Sequence, residues 1–200
     1  MAKKGVLTTA DYLPFKEYKE TMSKLHRDGY YRDELYFILA YTTALRVSDL
    51  RMLKWEDVLN KTCLVVTEKK TKKTRPIPFN DEFRKIVSEL YELLGHPYKG
   101  WYIFEGNKQQ DIKERYDLSI ENFSTHTFRK TFGRNYYETR GKTEEALIQL
   151  QKVFNHSNVG ITYVYIGIRN DEINDFYKNI KGWIVCALRS YFSCWLSTRD

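Results

Sequence analysis

Between residues 63 and 79 the chain reads as a strand, a lysine-rich tip and a second strand, while most of what flanks this segment reads as helix. Cys63-Leu64-Val65-Val66-Thr67 is a β-branched, apolar run, and Arg75-Pro76-Ile77-Pro78-Phe79 is its partner. The connecting segment, Glu68-Lys69-Lys70-Thr71-Lys72-Lys73-Thr74, is a basic hairpin tip. It is either a turn kept soluble by its lysines or a loop that reaches into a nucleic-acid groove. One hairpin among helices gives the fold class: mainly α with a small antiparallel β-sheet (α+β).

The helical segments follow from periodicity and capping. Thr8-Thr9-Ala10-Asp11 is a start pattern, Pro14 is tolerated in a first turn, and the helix it opens ends near Asp28-Gly29. A second helix, from about Arg32 to Ala44, places Leu35, Ile38, Leu39 and Thr42 on a core face. Leu50, Leu53 and Trp55 anchor a short helix after Arg46. Asn80 caps a helix from about Asp81 to Leu94, with Phe83, Ile86, Val87, Leu90 and Leu93 as its buried stripe and Gly95 as its stop. Trp101-Tyr102-Ile103-Phe104 is an edge strand or an irregular core segment, and the polar stretch 105–121 holds a turn or two of helix. Helices follow at about 125–139, 143–154 and 158–166, then one at Asp171–Tyr177. No internal repeat and no Gly-, Pro- or Ser-rich linker breaks the chain.

Charge narrows the partner. The 200 residues carry a formal net charge of +7, which favours a polyanion, DNA or RNA first. Three cysteines, Cys63, Cys186 and Cys194, have no metal-ligand spacing and argue against a disulfide framework. No stretch is long and apolar enough to span a membrane. The end, from Gly182 to Leu196, is rich in apolar and aromatic residues and suits docking on its own domain or on another subunit.

The chemistry concentrates between Thr125 and Tyr165. His126 and Arg129 are three apart, so on a helix they point at one object. Further on come His156 and two tyrosines, Tyr163 and Tyr165, which face different ways on a helix. Arginine grips phosphate with a planar fork of donors. Histidine moves protons near neutral pH, and a deprotonated tyrosine is an oxygen nucleophile. These residue types suit cleavage of a phosphodiester without a metal. Each also has a structural alternative: Arg46 as a cap or as a partner of Asp49, the histidines as helix-end residues, Tyr165 as core.

Three pieces and the hairpin, in this order, resemble the tyrosine recombinase (phage integrase) family: Ala44-Leu45-Arg46-Val47-Ser48-Asp49-Leu50, the lysine hairpin, His126-x-x-Arg129, and His156 followed by Tyr165. The resemblance covers about Thr8 to Lys181, the catalytic domain of that family. It implies that Arg46 and Arg129 hold the scissile phosphate, with Asp49 orienting the first of them. Lys70 is implied as the acid for the departing 5′ oxygen and His126 as a proton-handling group. His156 is implied as a donor to a phosphate oxygen, and Tyr165, chosen over Tyr163 by its spacing from His156, as the nucleophile that forms a 3′-phosphotyrosyl link. Lys69, Lys72, Lys73, Arg75 and Lys130 complete the expected DNA-binding set. The bond energy is kept in the tyrosyl ester, so neither metal nor ATP is implied, and no other cofactor.

The resemblance further implies double-stranded DNA as partner, a homo-oligomer that is a tetramer in synapsis, and a bacterial, cytoplasmic, nucleoid-associated setting. In the family a C-terminal segment passes to a neighbouring subunit, and Asp171–Lys178 is the segment here that would do so. Residues 1–182 are expected to be the catalytic domain, with the family's N-terminal core-binding clamp absent, and 183–200 an apolar tail. Departures from the pattern fall at Phe128 and Lys130, which flank Arg129 where the family has an aliphatic residue and a histidine, and at Phe154-Asn155-His156, where it has leucine-glycine-histidine. Two related activities stay open beside strand exchange: type IB topoisomerase-like relaxation, and DNA binding by a catalytically silent integrase remnant. An unrelated basic interaction protein is the remaining class.

Overall fold

A computed structural model describes residues 10–104 and 110–168 of the chain. Helices α1 (Phe15–Arg27), α2 (Tyr31–Thr43), α3 (Val47–Leu50) and α4 (Trp55–Val58) precede the hairpin of β1 (Cys63–Thr67) and β2 (Thr74–Pro78). After it come α5 (Asp81–Leu93), α6 (Gln110–Arg115), α7 (Thr127–Thr139), α8 (Glu144–Phe154) and α9 (Val159–Tyr165). Among the described residues the fold is therefore mainly helical with one two-stranded antiparallel sheet. The helix expected at 171–177 and the apolar tail at 183–200 lie outside the described residues.

α1 begins later than its capping pattern suggests. Asp11 is drawn into a reciprocal pair with Asn122: its N–H donates to the Asn122 carbonyl (3.0 Å), and its carboxylate accepts from the Asn122 N–H (2.8 Å). The Leu13 N–H is held by Thr131 (2.8 Å), so the chain stays outside the helix until Pro14, which becomes the N-cap. On α2, Leu35, Ile38 and Leu39 are buried as expected, but Thr42 is exposed and Thr43 takes the inner place. Thr43 Oγ1 returns a hydrogen bond to the Leu39 carbonyl (2.6 Å). The α5 cap is as read: Asn80 Oδ1 accepts from the Phe83 N–H (2.8 Å). Phe83, Val87 and Leu90 are buried, whereas Leu93 at the last turn is 44% exposed. The segment at 101–104 is irregular: Tyr102 makes a single bridge to Lys54, and Ile103 and Phe104 fill the core.

Two apolar cores position the site. The larger is built on α2, with Leu35, Phe37 and Leu39 packed among Trp55, Val87, Phe104 and Phe128. The smaller joins α7, α8 and α9 through Tyr137, Leu147, Leu150, Phe154 and Ile166, and includes Ala44 at the end of α2. Ala44 adopts a left-handed conformation (φ 48°), and Asn155 does the same at the end of α8 (φ 56°). These two reversals turn the carbonyls of Ala44 and Phe154 toward the same side chain, that of Arg129. In the sheet, Leu64 and Val66 of β1 face inward and pair with Ile77 and Arg75 of β2. Residue 68 has the same parity and continues that inner face.

Candidate active site

Arg129 lies on the first turn of α7 and is 3% exposed. Its guanidinium donates to the Ala44 carbonyl and, through Nη2, to the Phe154 carbonyl at 2.6 Å. The same group stacks 4.6 Å over the Phe154 ring. Burial draws its pKa down to about 10. Arg46, the N-cap of α3, reaches the same Phe154 oxygen through Nη2 at 3.4 Å. The two guanidinium groups thus converge on one point, as the sequence pattern requires.

The carboxylate on Arg46 is Glu68, not Asp49. Arg46 Nη1 donates to Glu68 Oε2, while Asp49 Oδ1 accepts the backbone N–H of Lys69 (3.0 Å) and so fastens the start of the hairpin tip. The Glu68 side chain is fully buried. Burial pushes its pKa up, but the Thr71 hydroxyl, Arg46 and Asn155 outweigh this and hold it below the usual carboxylate range. Arg75, expected among the DNA-facing cations, also turns inward: Nε meets Glu68 Oε1 at 3.3 Å and Nη2 donates to the Thr43 carbonyl at 2.9 Å. Its position opposite Val66 in the ladder explains this, because that register puts it on the inner face.

Tyr165 closes α9 and meets both histidines. Its hydroxyl is 3.3 Å from His126 Nδ1, and its ring centroid is 5.2 Å from that of His156. Burial raises the phenol pKa, and the charges of Arg129 and Arg46 oppose the rise. His126 is pushed down by burial and then by Arg129, Lys130, Arg46 and Lys70. His156 is lowered to about 4 by burial and the same kind of cationic surroundings. Its Nδ1 lies 2.9 Å from the buried Thr162 hydroxyl, which fixes the ring. Both shifts favour the neutral imidazole near pH 7, and with its proton on Nε2 His126 has Nδ1 free to accept from the phenol. Tyr163 packs on the smaller core.

The remaining cations divide by exposure. Lys69, Lys70, Lys72 and Lys73 are exposed on the tip. The charge of Lys70 nonetheless reaches both imidazoles, since it lowers each of them. Lys130, expected to face DNA, is half-buried, donates to the Ala10 carbonyl (2.7 Å) and sits 5.5 Å from the centroid of the Tyr165 ring. Sequence reasoning did not single out Glu68, the Phe154 carbonyl or Thr162. For Glu68 the alternation Leu64, Val66, Glu68 was the available signal.

Residues 11–172 match the phage integrase family. The chain belongs to that family. Among its relatives, the chain is 34% identical over 162 residues to the probable integrase/recombinase YoeC of Bacillus subtilis, covering 76% of this chain and 86% of YoeC. It is 28% identical to a probable integrase/recombinase of Acholeplasma phage L2, covering 78% of this chain and 63% of the phage protein. Similarity to solved structures supports the fold: the XerA recombinase superposes with a TM-score of 0.63 at 20% identity, over 86% of this chain and 65% of XerA. The lambda integrase catalytic core gives 0.53 at 20% identity, over 73% of this chain and 91% of that core. The chain therefore spans less than two thirds of the phage L2 and XerA proteins.

Proposed function

We propose that this integrase breaks and rejoins duplex DNA by site-specific strand exchange through a tyrosyl phosphodiester. The single observation that carries this reading is the convergence of Arg46 and Arg129 on the Phe154 oxygen, beside a Tyr165 hydroxyl in contact with His126. In the reaction the Tyr165 oxygen bonds to phosphorus as the phosphorus–O5′ bond breaks. The phenol proton leaves toward His126, and the 5′ oxygen takes a proton from Lys70. The two arginines and His156 stabilise the charge that accumulates on the non-bridging oxygens. A free 5′ hydroxyl then attacks the 3′-phosphotyrosine and reverses these steps with an exchanged strand, so bond energy is conserved.

Relatives named integrase, recombinase and tyrosine recombinase support this function, and neighbours include XerH bound to its difH substrate and a lambda integrase dimer on a core site. Duplex DNA is thus the substrate we assign, with four protomers joining two sites in synapsis and the bacterial nucleoid as the place of work. The test is a duplex with a nick next to the cleavage position, which traps a covalent adduct by releasing a short strand. Wild type and Tyr163→Phe should form a denaturant-resistant adduct, and Tyr165→Phe should form none. An adduct that survives Tyr165→Phe overturns the assignment, and salt-sensitive binding with no adduct leaves a binding remnant.

A further inference from the structure

Glu68 gathers groups from three separate segments of the site. Oε2 accepts from Arg46, from the Thr71 hydroxyl (2.9 Å) and from the Asn155 side-chain amide (3.4 Å). Oε1 faces Arg75 Nε at 3.3 Å. Arg46 is one phosphate-gripping candidate, Thr71 adjoins Lys70, and Asn155 lies between Phe154 and His156. The carboxylate therefore touches the arginine box, the lysine tip and the histidine turn at once.

The location is unusual for an acid. Arg46, Arg75 and Arg129 are clustered, and an anion beside them weakens the local field that attracts a phosphate. A carboxylate there must contribute something other than affinity. A buried and hydrogen-bonded charge network fixes geometry, because breaking any member leaves another charge or donor unmatched. The backbone agrees: the Glu68 carbonyl accepts from the Lys72 N–H (2.8 Å) and its N–H donates to the Lys73 carbonyl (3.0 Å), so the residue also closes the tip on itself. A solvated turn glutamate would share those backbone bonds but make none of the side-chain contacts.

We propose that Glu68 is a positioning residue that holds Arg46, the Lys70-bearing tip and the His156 turn in one register before DNA arrives. This rests on the strand-exchange reading of the site. Glu68 touches no reacting atom and acts through its three neighbours. Removing its charge while keeping its shape should leave DNA attraction intact, or raise it, and misplace the groups that do chemistry. A small misplacement of catalytic groups costs up to about 100-fold in rate.

The test compares wild type with Glu68→Gln and Thr71→Val in single-turnover cleavage of a nicked duplex at saturating DNA. The expected result for Glu68→Gln is a cleavage rate constant at least about tenfold lower, with DNA affinity at each salt concentration no weaker than wild type. Thr71→Val should lower the rate constant less, and the double variant should fall short of the product of the two effects. A purely structural role would reduce the amplitude of cleavage, reflecting less folded protein, and leave the rate constant alone. That outcome overturns the proposal. A second arm needs no DNA: amide hydrogen exchange across residues 69–73 should be faster in Glu68→Gln, and faster again in Glu68→Ala if that variant folds. Unchanged exchange there also overturns the proposal. Should wild type itself form no adduct, the functional reading falls, and the exchange arm alone decides the positioning role.

Discussion

Arg46 and Arg129 point their Nη2 groups at one oxygen atom, the carbonyl of Phe154, from helices far apart in sequence. Two guanidinium ions repel each other at such range, and the arrangement persists because carbonyl oxygens and the Glu68 carboxylate lie between and around them. The two arginines differ in what depends on them. Arg129 is 3% exposed and serves two buried carbonyls, whereas the Arg46 side chain keeps 16% of its surface and is tied chiefly to Glu68.

That difference predicts separable effects. Arg129→Ala leaves the buried Ala44 carbonyl without this donor and the Phe154 carbonyl with Arg46 alone, and a buried group left unsatisfied costs about 1–3 kcal/mol. Arg46→Ala should destabilise less, because the Glu68 carboxylate it leaves behind keeps Arg75, the Thr71 hydroxyl and the Asn155 amide. Both should lose DNA cleavage by at least about 100-fold, the scale for removing one preorganised donor from a developing oxyanion. Urea unfolding beside single-turnover cleavage measures both quantities. Equal destabilisation by the two substitutions would contradict the account.

Gly133 sits one turn beyond Arg129 on α7 and faces the smaller core. A Cβ there would lie 2.8 Å from Phe154 Cζ and 2.6 Å from Ile166 Cγ2. Gly133→Ala should therefore cost about 1–3 kcal/mol through overpacking. Because the Phe154 ring supports Arg129 and neighbours Tyr165 (5.4 Å between centroids), cleavage should slow more than DNA binding weakens. Chemical denaturation and a binding titration test this, and an unperturbed rate would show that Phe154 can shift without moving the site.

The neutral state of His156 makes stability depend on pH. Its folded pKa is lowered from 6.5 to about 4, so between those values the unfolded chain holds a proton that the native chain lacks. Stability from this group is complete above about 6.5, is lost as pH falls toward 4, and changes no further below that. His126, lowered in the same direction, adds to the loss. Raised carboxyls at Glu34 and Asp33 pull the opposite way in acid, so a difference measurement is needed. Subtracting the unfolding free energy of His156→Asn from that of wild type should give a curve that rises with pH through this window, and a flat difference would refute the assignment.

The hairpin lysines should divide into two kinds. Lys69→Ala, Lys72→Ala and Lys73→Ala should each weaken DNA binding and lower the salt slope by up to about one, with cleavage at saturation unchanged. Lys70→Ala should reduce the saturated cleavage rate. It should regain much of that rate on a substrate with sulfur at the bridging 5′ position, because a thiolate departs without needing a proton. Failure of sulfur to rescue Lys70→Ala would remove the general-acid role.

Much of the architecture was legible because the segments obey simple periodicities: the first hairpin strand, the second to within one residue, the Asn80 cap and the order of α7 to α9 all follow from local pattern. The start of α1 was not, since Asp11 finds a partner at Asn122, more than a hundred residues away, and tertiary hydrogen bonds displaced a good local cap. Glu68 was obscured by its neighbours. Set among four lysines it reads as turn solvent, and the parity that turns it inward shows only once Leu64 and Val66 are known to face the core. The family resemblance implies Asp49 as the acid that orients Arg46, whereas its carboxylate holds the Lys69 amide and Glu68 meets Arg46. Contacts to backbone carbonyls, such as those of Ala44 and Phe154, leave no trace in side-chain identity.

The left-handed turn at Asn155 limits how this part of the gene can drift. Glycine would supply the reversal and nothing else. Asparagine tolerates the same backbone and adds an amide that reaches Glu68. A β-branched residue would straighten the chain and carry the Phe154 oxygen away from both arginines. A replacement at 155 must therefore keep the positive φ, and one that keeps it without an amide gives up the tether to Glu68.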